Sequence, residues 1–320
     1  MLFNEKNRKN TNQGAMRVFR NSKYRYLFWI LLLILLCISL FYYKFSFVGI
    51  YSNDIPILTT CTFSKTFNYS MNERESINCQ LSNKESGNFF CEQDGLWNRR
   101  KQIYHIQRQR NEMKTKNNLF FSTNYEPTFH CSFERRFGAI GDGGKWICDS
   151  YRFDTKSTCL IYSFGSNNDF TFEIDLKDSL PNCDIHTFDL NKYECPNQIC
   201  TFHQLKLGNG IDKHTKTLGM IMDELDHAKY ELDILKIDIE GGEYSVFPSM
   251  FNDKIYPRQI QVEIHHKNVK ATHELFDLFA ENGYVIFHKE PNLLNTKIFE
   301  FALLRLNQQF FNLTNHDTCN

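Results

Sequence analysis

The run Ile234-Leu235-Lys236-Ile237-Asp238-Ile239-Glu240-Gly241-Gly242-Glu243 constrains the fold of this 320-residue chain more than any other stretch. Apolar, β-branched residues form a strand that ends in two alternating carboxylates. Two glycines then open a helical segment, Glu243 to Met250. In an α/β sheet, ligands bind beyond the carboxyl ends of the strands. The run therefore delivers Asp238 and Glu240 to the place where chemistry occurs. A polar strand end with a solvated turn is the plainer alternative.

The surroundings repeat the pattern. Cys159 to Phe164 reads as a buried strand ending at Gly165, and Asn168 to Ser179 as a short helix stopped by Pro181. Asp184 to Asp189 is a second strand with an acid at its end. Thr201 to Leu207 is a third, ending at Gly208-Asn209-Gly210. Lys216 to Tyr230 has helical spacing, Leu232 to Asp238 is the fourth strand and Gln259 to Ile264 the fifth. A helix over Thr272 to Asn282, closed by Gly283, precedes strands at Tyr284 to His288 and Ile298 to Leu306. Strands alternating with helices predict an α/β, Rossmann-like, doubly wound, mostly parallel sheet. The last two strands have no helix between them and should form an antiparallel hairpin.

The N-terminal part predicts a membrane anchor. Leu27 to Tyr43 is an uncharged apolar run of 17 residues, which Tyr24 and Tyr26 extend to about the 20 that span a bilayer. Seven basic residues and one acid precede it, so the C-terminal part should be translocated. A cleaved signal peptide is the rival, although no small-x-small site follows the run. The expected organisation is a cytoplasmic tail (1–25), a signal anchor (26–43), a luminal stem (44–96) and a catalytic-type domain (97–320). The short span suits the thinner bilayers of the endoplasmic reticulum or Golgi, making this a type II membrane protein. Cys37 lies in the span, and the other ten of the 11 cysteines suit disulfides in an oxidising lumen. Zinc is the alternative, but no C-x2-C pair occurs. Asn68-Tyr69-Ser70 and Asn312-Leu313-Thr314 are glycosylation sequons. With 37 basic and 37 acidic residues, no nucleic-acid partner is expected. The basic run Trp97 to Asn117 reads as a solvated helix at the domain edge rather than a nucleic-acid patch.

Several residues are candidates for a site. Phe164-Gly165-Ser166-Asn167-Asn168-Asp169 ends the first strand with one glycine, which lets a ligand approach the backbone. Asp189, 24 residues after Gly165, is placed to accept both hydroxyls of a ribose; a surface acid is the alternative. Asn209 and its glycines can line an adenine pocket or form a plain turn. Arg135 to Trp146 looks like a phosphate loop but carries Ala139 and Trp146 where Gly and Ser or Thr are needed. Clamped by Cys131 and Cys148, it reads equally as a structural turn or a ligand-contacting flap. Glu263 and His265 alternate onto one side of the fifth strand, beside Asp238 and Glu240. Such a group can hold a divalent cation, with Asp238 and Glu240 as its ligands, or supply a general base. A structural network is the alternative.

These segments resemble the class I S-adenosylmethionine-dependent methyltransferases, with the FkbM-type branch and the membrane-anchored methyltransferase-like protein twenty-four type nearest. The resemblance rests on Arg136-x-Gly138 with Asp142-Gly143-Gly144-x-Trp146-x-x-Cys148, on Tyr162-Ser163-Phe164-Gly165 with Asn168-Asp169-x-x-Phe172-Glu173, and on His186-x-Phe188-Asp189. It continues through Leu235-Lys236-Ile237-Asp238-Ile239-Glu240-Gly241-x-Glu243 and Val262-Glu263-Ile264-His265. It implies a seven-stranded sheet whose last strand is antiparallel. It also implies S-adenosylmethionine as cofactor, with Gly165, Ser166 and Asn167 under its methionine part and Asp189 on its ribose. His265, Glu240 and Glu263 become the candidate bases for methyl transfer to an acceptor such as a glycan hydroxyl. Two other readings stay open at this level. One is a metal-dependent glycosyltransferase with Mn²⁺ on Asp238 and Glu240; the other is a non-catalytic, membrane-anchored binding module that keeps the fold.

Overall fold

The computed structural model describes residues 78–110, 120–141, 143–293 and 295–312. The expected tail and anchor, most of the stem, Cys37, Cys61, Cys319 and the Asn68 sequon lie outside the described residues. Among the described residues, no helix is long and apolar enough to cross a membrane.

The folded domain begins earlier than position 97. Helices α1 (Gln80–Ser86) and α2 (Asp94–Arg110) open it, so residues 80–96 belong to the domain rather than to a stem. A buried carboxylate is the reason. Glu85 accepts hydrogen bonds from Trp97 Nε1 at 2.6 Å and Lys101 Nζ at 2.8 Å. Phe90 packs on Trp97 and Phe129, and Cys79–Cys91 closes the segment. The basic helix α2 keeps a solvated face but buries Trp97, Lys101 and Tyr104.

A hairpin follows, β1 (Glu134–Phe137) and β2 (Lys145–Cys148), then the short α3 (Tyr151–Asp154). The α/β succession is β3 (Cys159–Phe164), α4 (Thr171–Ser179), β4 (Cys183–Asp189) and β5 (Thr201–Gln204). After it come β6 (Lys206–Leu207), β7 (Thr215–Lys216), α5 (Leu218–Glu224), β8 (Ile234–Ile237) and α6 (Glu243–Asn252). The chain finishes with β9 (Gln259–His265), α7 (Val269–Glu281), β10 (Tyr284–Pro291) and β11 (Ile298–Arg305).

Seven strands form the main sheet in the order β10-β11-β9-β8-β3-β4-β5. β3, β4, β5, β8 and β9 pair in parallel. The final strand β11 runs antiparallel to both β9 and β10, as the missing helix between the last two strands requires. β3 shows why the strands read as continuous apolar runs. Leu160, Tyr162 and Phe164 enter one core with Leu235 and Phe247, whereas Cys159 and Ile161 enter the other with Phe172 and Leu176. A parallel sheet covered on both faces buries both sets of alternating side chains.

Two expected elements are shorter than their periodicity. The third strand leaves the sheet after Gln204: Leu205 N–H still bonds Asp189 O at 2.9 Å, but Lys206–Leu207 turns away to pair with β7. The helix over Lys216 to Tyr230 is only α5. Thr217 caps it by accepting from Met220 N–H, and Asp226, at φ 57°, ends it. By contrast α7 starts three residues early, because Asn268 Oδ1 accepts from Ala271 N–H at 2.9 Å and caps it.

Candidate functional site

β3 is the strand at which the winding reverses. The chain goes from it to β4 and β5 on one side, and β8 and β9 lie on the other. The carboxyl ends of β3, β4 and β8 therefore diverge and open a crevice. A cavity of 480 Å³ occupies it, lined by Gly165, Asp189, Leu207, Asn209, Asp238 and Glu240 among others. A larger hollow of 580 Å³, lined by Tyr230, Leu232 and Arg305, lies at the amino ends of the parallel strands. It is on the wrong edge for the carboxylates that end them.

Gly165 is a backbone necessity. Its φ is +80°, and a Cβ there would stand 1.7 Å from Asp238 O. Its N–H donates to Phe188 O at 2.9 Å and its carbonyl accepts from the buried Lys236 Nζ at 3.0 Å. Gly165→Ala is expected to destabilise the fold by about 2–4 kcal/mol, from overpacking plus left-handed strain. A thermal melt superimposable on wild type would show that β3 and β8 do not approach this closely.

Asn167 and Asn168 follow with φ of 44° and 66°, a region asparagine tolerates. This turn delays the helix to Thr171 and aims Asn167 N–H at Asp189 Oδ2, 2.9 Å away. Asn191 N–H donates to Asp189 Oδ1 at 2.9 Å. Asp189 is thus held rigidly at 9% exposure, and each oxygen keeps a lone pair for a ligand diol. Of the expected cofactor residues, Gly165, Asp189, Asn209 and Asp238 line the cavity. Asn167 acts through its backbone, and Ser166 is buried. Leu190, Leu205, Leu207 and Ile239 supply apolar lining for a base. The crevice fits an adenosyl nucleoside: an acid for the ribose, an apolar slot, and a backbone turn without a side chain.

Beyond Asp238 lies a buried charge cluster. Oxygens of Asp238, Glu263 and Glu300 lie within 4.8 Å of one another. The expected cation ligand pair, Asp238 with Glu240, does not form. Glu240 sits at φ 54°, and its 86%-exposed side chain turns to His265 instead. The positive charge at the cluster comes from Lys145, 2.6 Å from Glu300 and 3.5 Å from Asp238. Burial alone would lower the Lys145 pKa, but Glu300 and Asp238 more than reverse it and raise it. Burial acts to raise Asp238, yet Lys145 and Lys236 hold it below the usual carboxylate range. Glu263 goes the other way. Burial, then the Asp238 and Glu300 charges, push it up to about 8. Asp238 and Glu263 therefore share one proton, held mainly on Glu263.

His265 is not the near-neutral base that a single carboxylate partner predicts. Three carboxylates surround its ring: Glu243 at 3.3 Å from Nδ1, with Glu240 at 3.2 Å and Glu263 at 3.6 Å from Nε2. The Glu243 hydrogen bond, helped by these charges against the cost of burial, pushes His265 up to about 9. It is an imidazolium at neutral pH and orients the acids around it.

The glycine-rich hairpin turn is braced as a structural turn, and its second strand feeds the charge cluster. Cys131–Cys148 clamps its base. Arg136 bonds Ala139 O, Gly141 O and Glu290, and Trp146 stacks on His288 while donating to Glu290. So braced, β2 delivers Lys145 to the carboxylates. Lys145, Lys236, Glu243 and Glu300 are the site residues that sequence reasoning missed. One signal was available: Lys236 and Glu300 interrupt otherwise apolar strands, and a charge in such a position needs a buried partner.

A family model described as a methyltransferase domain (Methyltransf_22) matches residues 80–305. Among solved structures, TrmK of M. capricolum with S-adenosyl-homocysteine is similar at 11% identity, covering 52% of this chain and 71% of that one, with a TM-score of 0.32. Human methyltransferase-like protein 13 with SAH is 8% identical over 52% of this chain and 78% of that one, TM-score 0.33. The Methanococcus jannaschii fibrillarin pre-rRNA processing protein is 11% identical over 55% and 84%, TM-score 0.34. No curated protein matches the chain.

Proposed function

We propose a function from one premise: the chain belongs to the Methyltransf_22 family of methyltransferase domains, whose model spans residues 80–305. It is a methyltransferase that uses S-adenosylmethionine, and we read its acceptor as a hydroxyl, on a glycan or another secretory substrate. The observation that carries this reading is the Asp238–Glu263 pair at the edge of the cavity, with Glu263 raised to about 8. An amine that has lost its proton attacks without help, but a hydroxyl needs a base during attack.

The bound cofactor would supply an electrophilic methyl group on a sulfonium. Asp189 holds its ribose, Gly165 admits it close to the backbone, and the leucines exclude water from the base. The ionised Asp238–Glu263 pair takes the proton of the attacking hydroxyl. Lys145 and Lys236 balance the pair's charge, and the His265 imidazolium steadies Glu263. Much of the acceleration is positioning of the two reactants.

The experiment is methyl transfer to hydroxyl acceptors followed across pH. Ionisation of the pair increases as pH rises, so kcat/KM should rise through about pH 8 and then level. Glu263→Gln should remove that limb and lower the plateau by roughly 10²-fold. An unchanged profile in the variant would put the base elsewhere. Binding of S-adenosylhomocysteine without transfer to any hydroxyl would return the domain to a non-catalytic binding module. The glycosyltransferase alternative is weakened because Asp238 and Glu240 do not converge on one ion.

We place the domain in the lumen of the endoplasmic reticulum or Golgi, carried by the 26–43 anchor. Disulfides Cys79–Cys91, Cys131–Cys148, Cys159–Cys183 and Cys195–Cys200 support an oxidising compartment. Among the class I methyltransferases, the ordered motifs favour the FkbM-type branch and the membrane-anchored methyltransferase-like protein twenty-four type.

A further inference from the structure

A second cluster lies on the same strand as Asp189, outside the cavity. Asp184, His186 and Phe188 share one face of β4, where alternate residues point the same way. His203 sits directly opposite Phe188 on β5. His227 arrives from the turn after α5, where Asp226 at φ 57° lets His227 N–H bond Met222 O at 2.7 Å. One ligand atom each from Asp184, His186 and His227 fall within 4.8 Å of one another.

Two features set this cluster apart from a stack of aromatic rings. The first is that both imidazoles have the inner nitrogen engaged and the outer one free to ligate. His186 Nδ1 bonds His203 Nε2 at 2.9 Å, and His227 Nδ1 bonds Tyr162 Oη at 2.7 Å. Metal-bound histidines are oriented in this way through the ring nitrogen that does not face the ion. The second is an unexplained buried atom. His186 is 7% exposed, and its Nε2 is buried without a hydrogen-bond partner among the described residues. It lies 3.2 Å from Asp184 Oδ2 without hydrogen-bond alignment. Two ligands on one tetrahedral zinc ion stand about 3.4 Å apart, given metal–ligand bonds near 2.1 Å. Ring stacking needs neither Asp184 nor an empty Nε2.

We propose that Asp184, His186 and His227 form a binding site for a divalent transition-metal ion of the Zn²⁺ class, with Tyr162 and His203 as its orienting partners. Two imidazoles and one carboxylate suit such an ion. Water completes its coordination on the open side, where Asp184 is 63% exposed. The ion ties β4 to the turn after α5. It also backs the cavity, because Phe188 lines the cavity and stacks on His203 at 4.7 Å. The site is separate from the Lys145 cluster and does not depend on the methyl-transfer reading.

The test uses the full-length chain without a polyhistidine tag, stripped by chelator and titrated with Co²⁺ under visible absorption. One equivalent should give the intense ligand-field band of a four-coordinate ion, and Zn²⁺ should displace it. Asp184→Asn and His227→Ala should each weaken Co²⁺ binding at least tenfold, and Tyr162→Phe roughly 10–100-fold, with cooperative melting kept. Asp184 is exposed, so its variant carries the test if His227→Ala fails to fold. Absence of saturable Co²⁺ binding, or equal affinity in the wild type and Asp184→Asn, would overturn the site.

Discussion

Replacing Asp189 with alanine is expected to abolish the rise in melting temperature that S-adenosylhomocysteine produces in the wild-type protein. A ligand at a hundred times its Kd stabilises the fold by about 2.7 kcal/mol, a shift of several degrees for a domain of this size. Asp189 is the acid that ends β4, and both its oxygens face donors already fixed in space, Asn167 N–H and Asn191 N–H at 2.9 Å each. Those bonds leave the carboxylate nothing to reorganise when a diol arrives. The substitution removes the proposed ribose contact and also releases two loop N–H groups, so the unliganded variant should be less stable by about 1–3 kcal/mol. Binding is read from the ligand-dependent shift, and folding from the cooperativity of the unliganded melt. A variant that melts cooperatively and still shows a saturable shift would mean that the ribose lies elsewhere.

Lys145→Met should cost the fold about 3–5 kcal/mol, the usual result of leaving buried charge without its partner. For a domain of this size that is on the order of 10 °C in Tm. The ammonium is buried among Glu300, Asp238 and Glu263. Without it, the acids must take up protons or stand as uncompensated anions. Glu263 is already raised to about 8 and Glu300 is raised by burial, with Lys145 opposing. A carboxyl whose folded pKa exceeds its unfolded value contributes stability that is present at low pH and lost as pH rises through the folded pKa. The variant's deficit should therefore be small at pH 5 and large at pH 8. Lys145→Met with Glu300→Gln should recover part of it, because the double change removes both halves of the 2.6 Å pair. A single variant melting within about 2 °C of wild type at both pH values would mean that solvent, rather than Lys145, balances the acids.

Much of the crevice was legible from local pattern. Gly165 and Asp189 each close an apolar strand, and a parallel sheet brings such strand ends together at the point where its winding reverses. Asp238 lies at the cavity, where the strand-end pattern places it, but pairs with Lys145 rather than joining Glu240. Alternation puts Asp238 and Glu240 on one side of an ideal strand, but β8 ends at Ile237 and Glu240 takes a left-handed φ. The two carboxylates then part, one to Lys145 and one to His265. His265 departs from its local pattern for a related reason: in the sequence Glu243 is only the start of a helix, and the fold turns its side chain back onto the ring.

The strand and helix succession, the antiparallel ending and the acid that closes β4 at the cavity were all written in local pattern. All of these follow from hydrophobic period, breakers and strand-end chemistry within a few residues. Which charges share a site follows from the three-dimensional packing alone. Lys145 meets Glu300 across 155 positions of chain, and His186 meets His203 and His227 across three separate elements. Such pairings depend on sheet order and on the depth at which a side chain is buried. Burial converts a surface charge into one that must find a partner, and no local pattern names that partner.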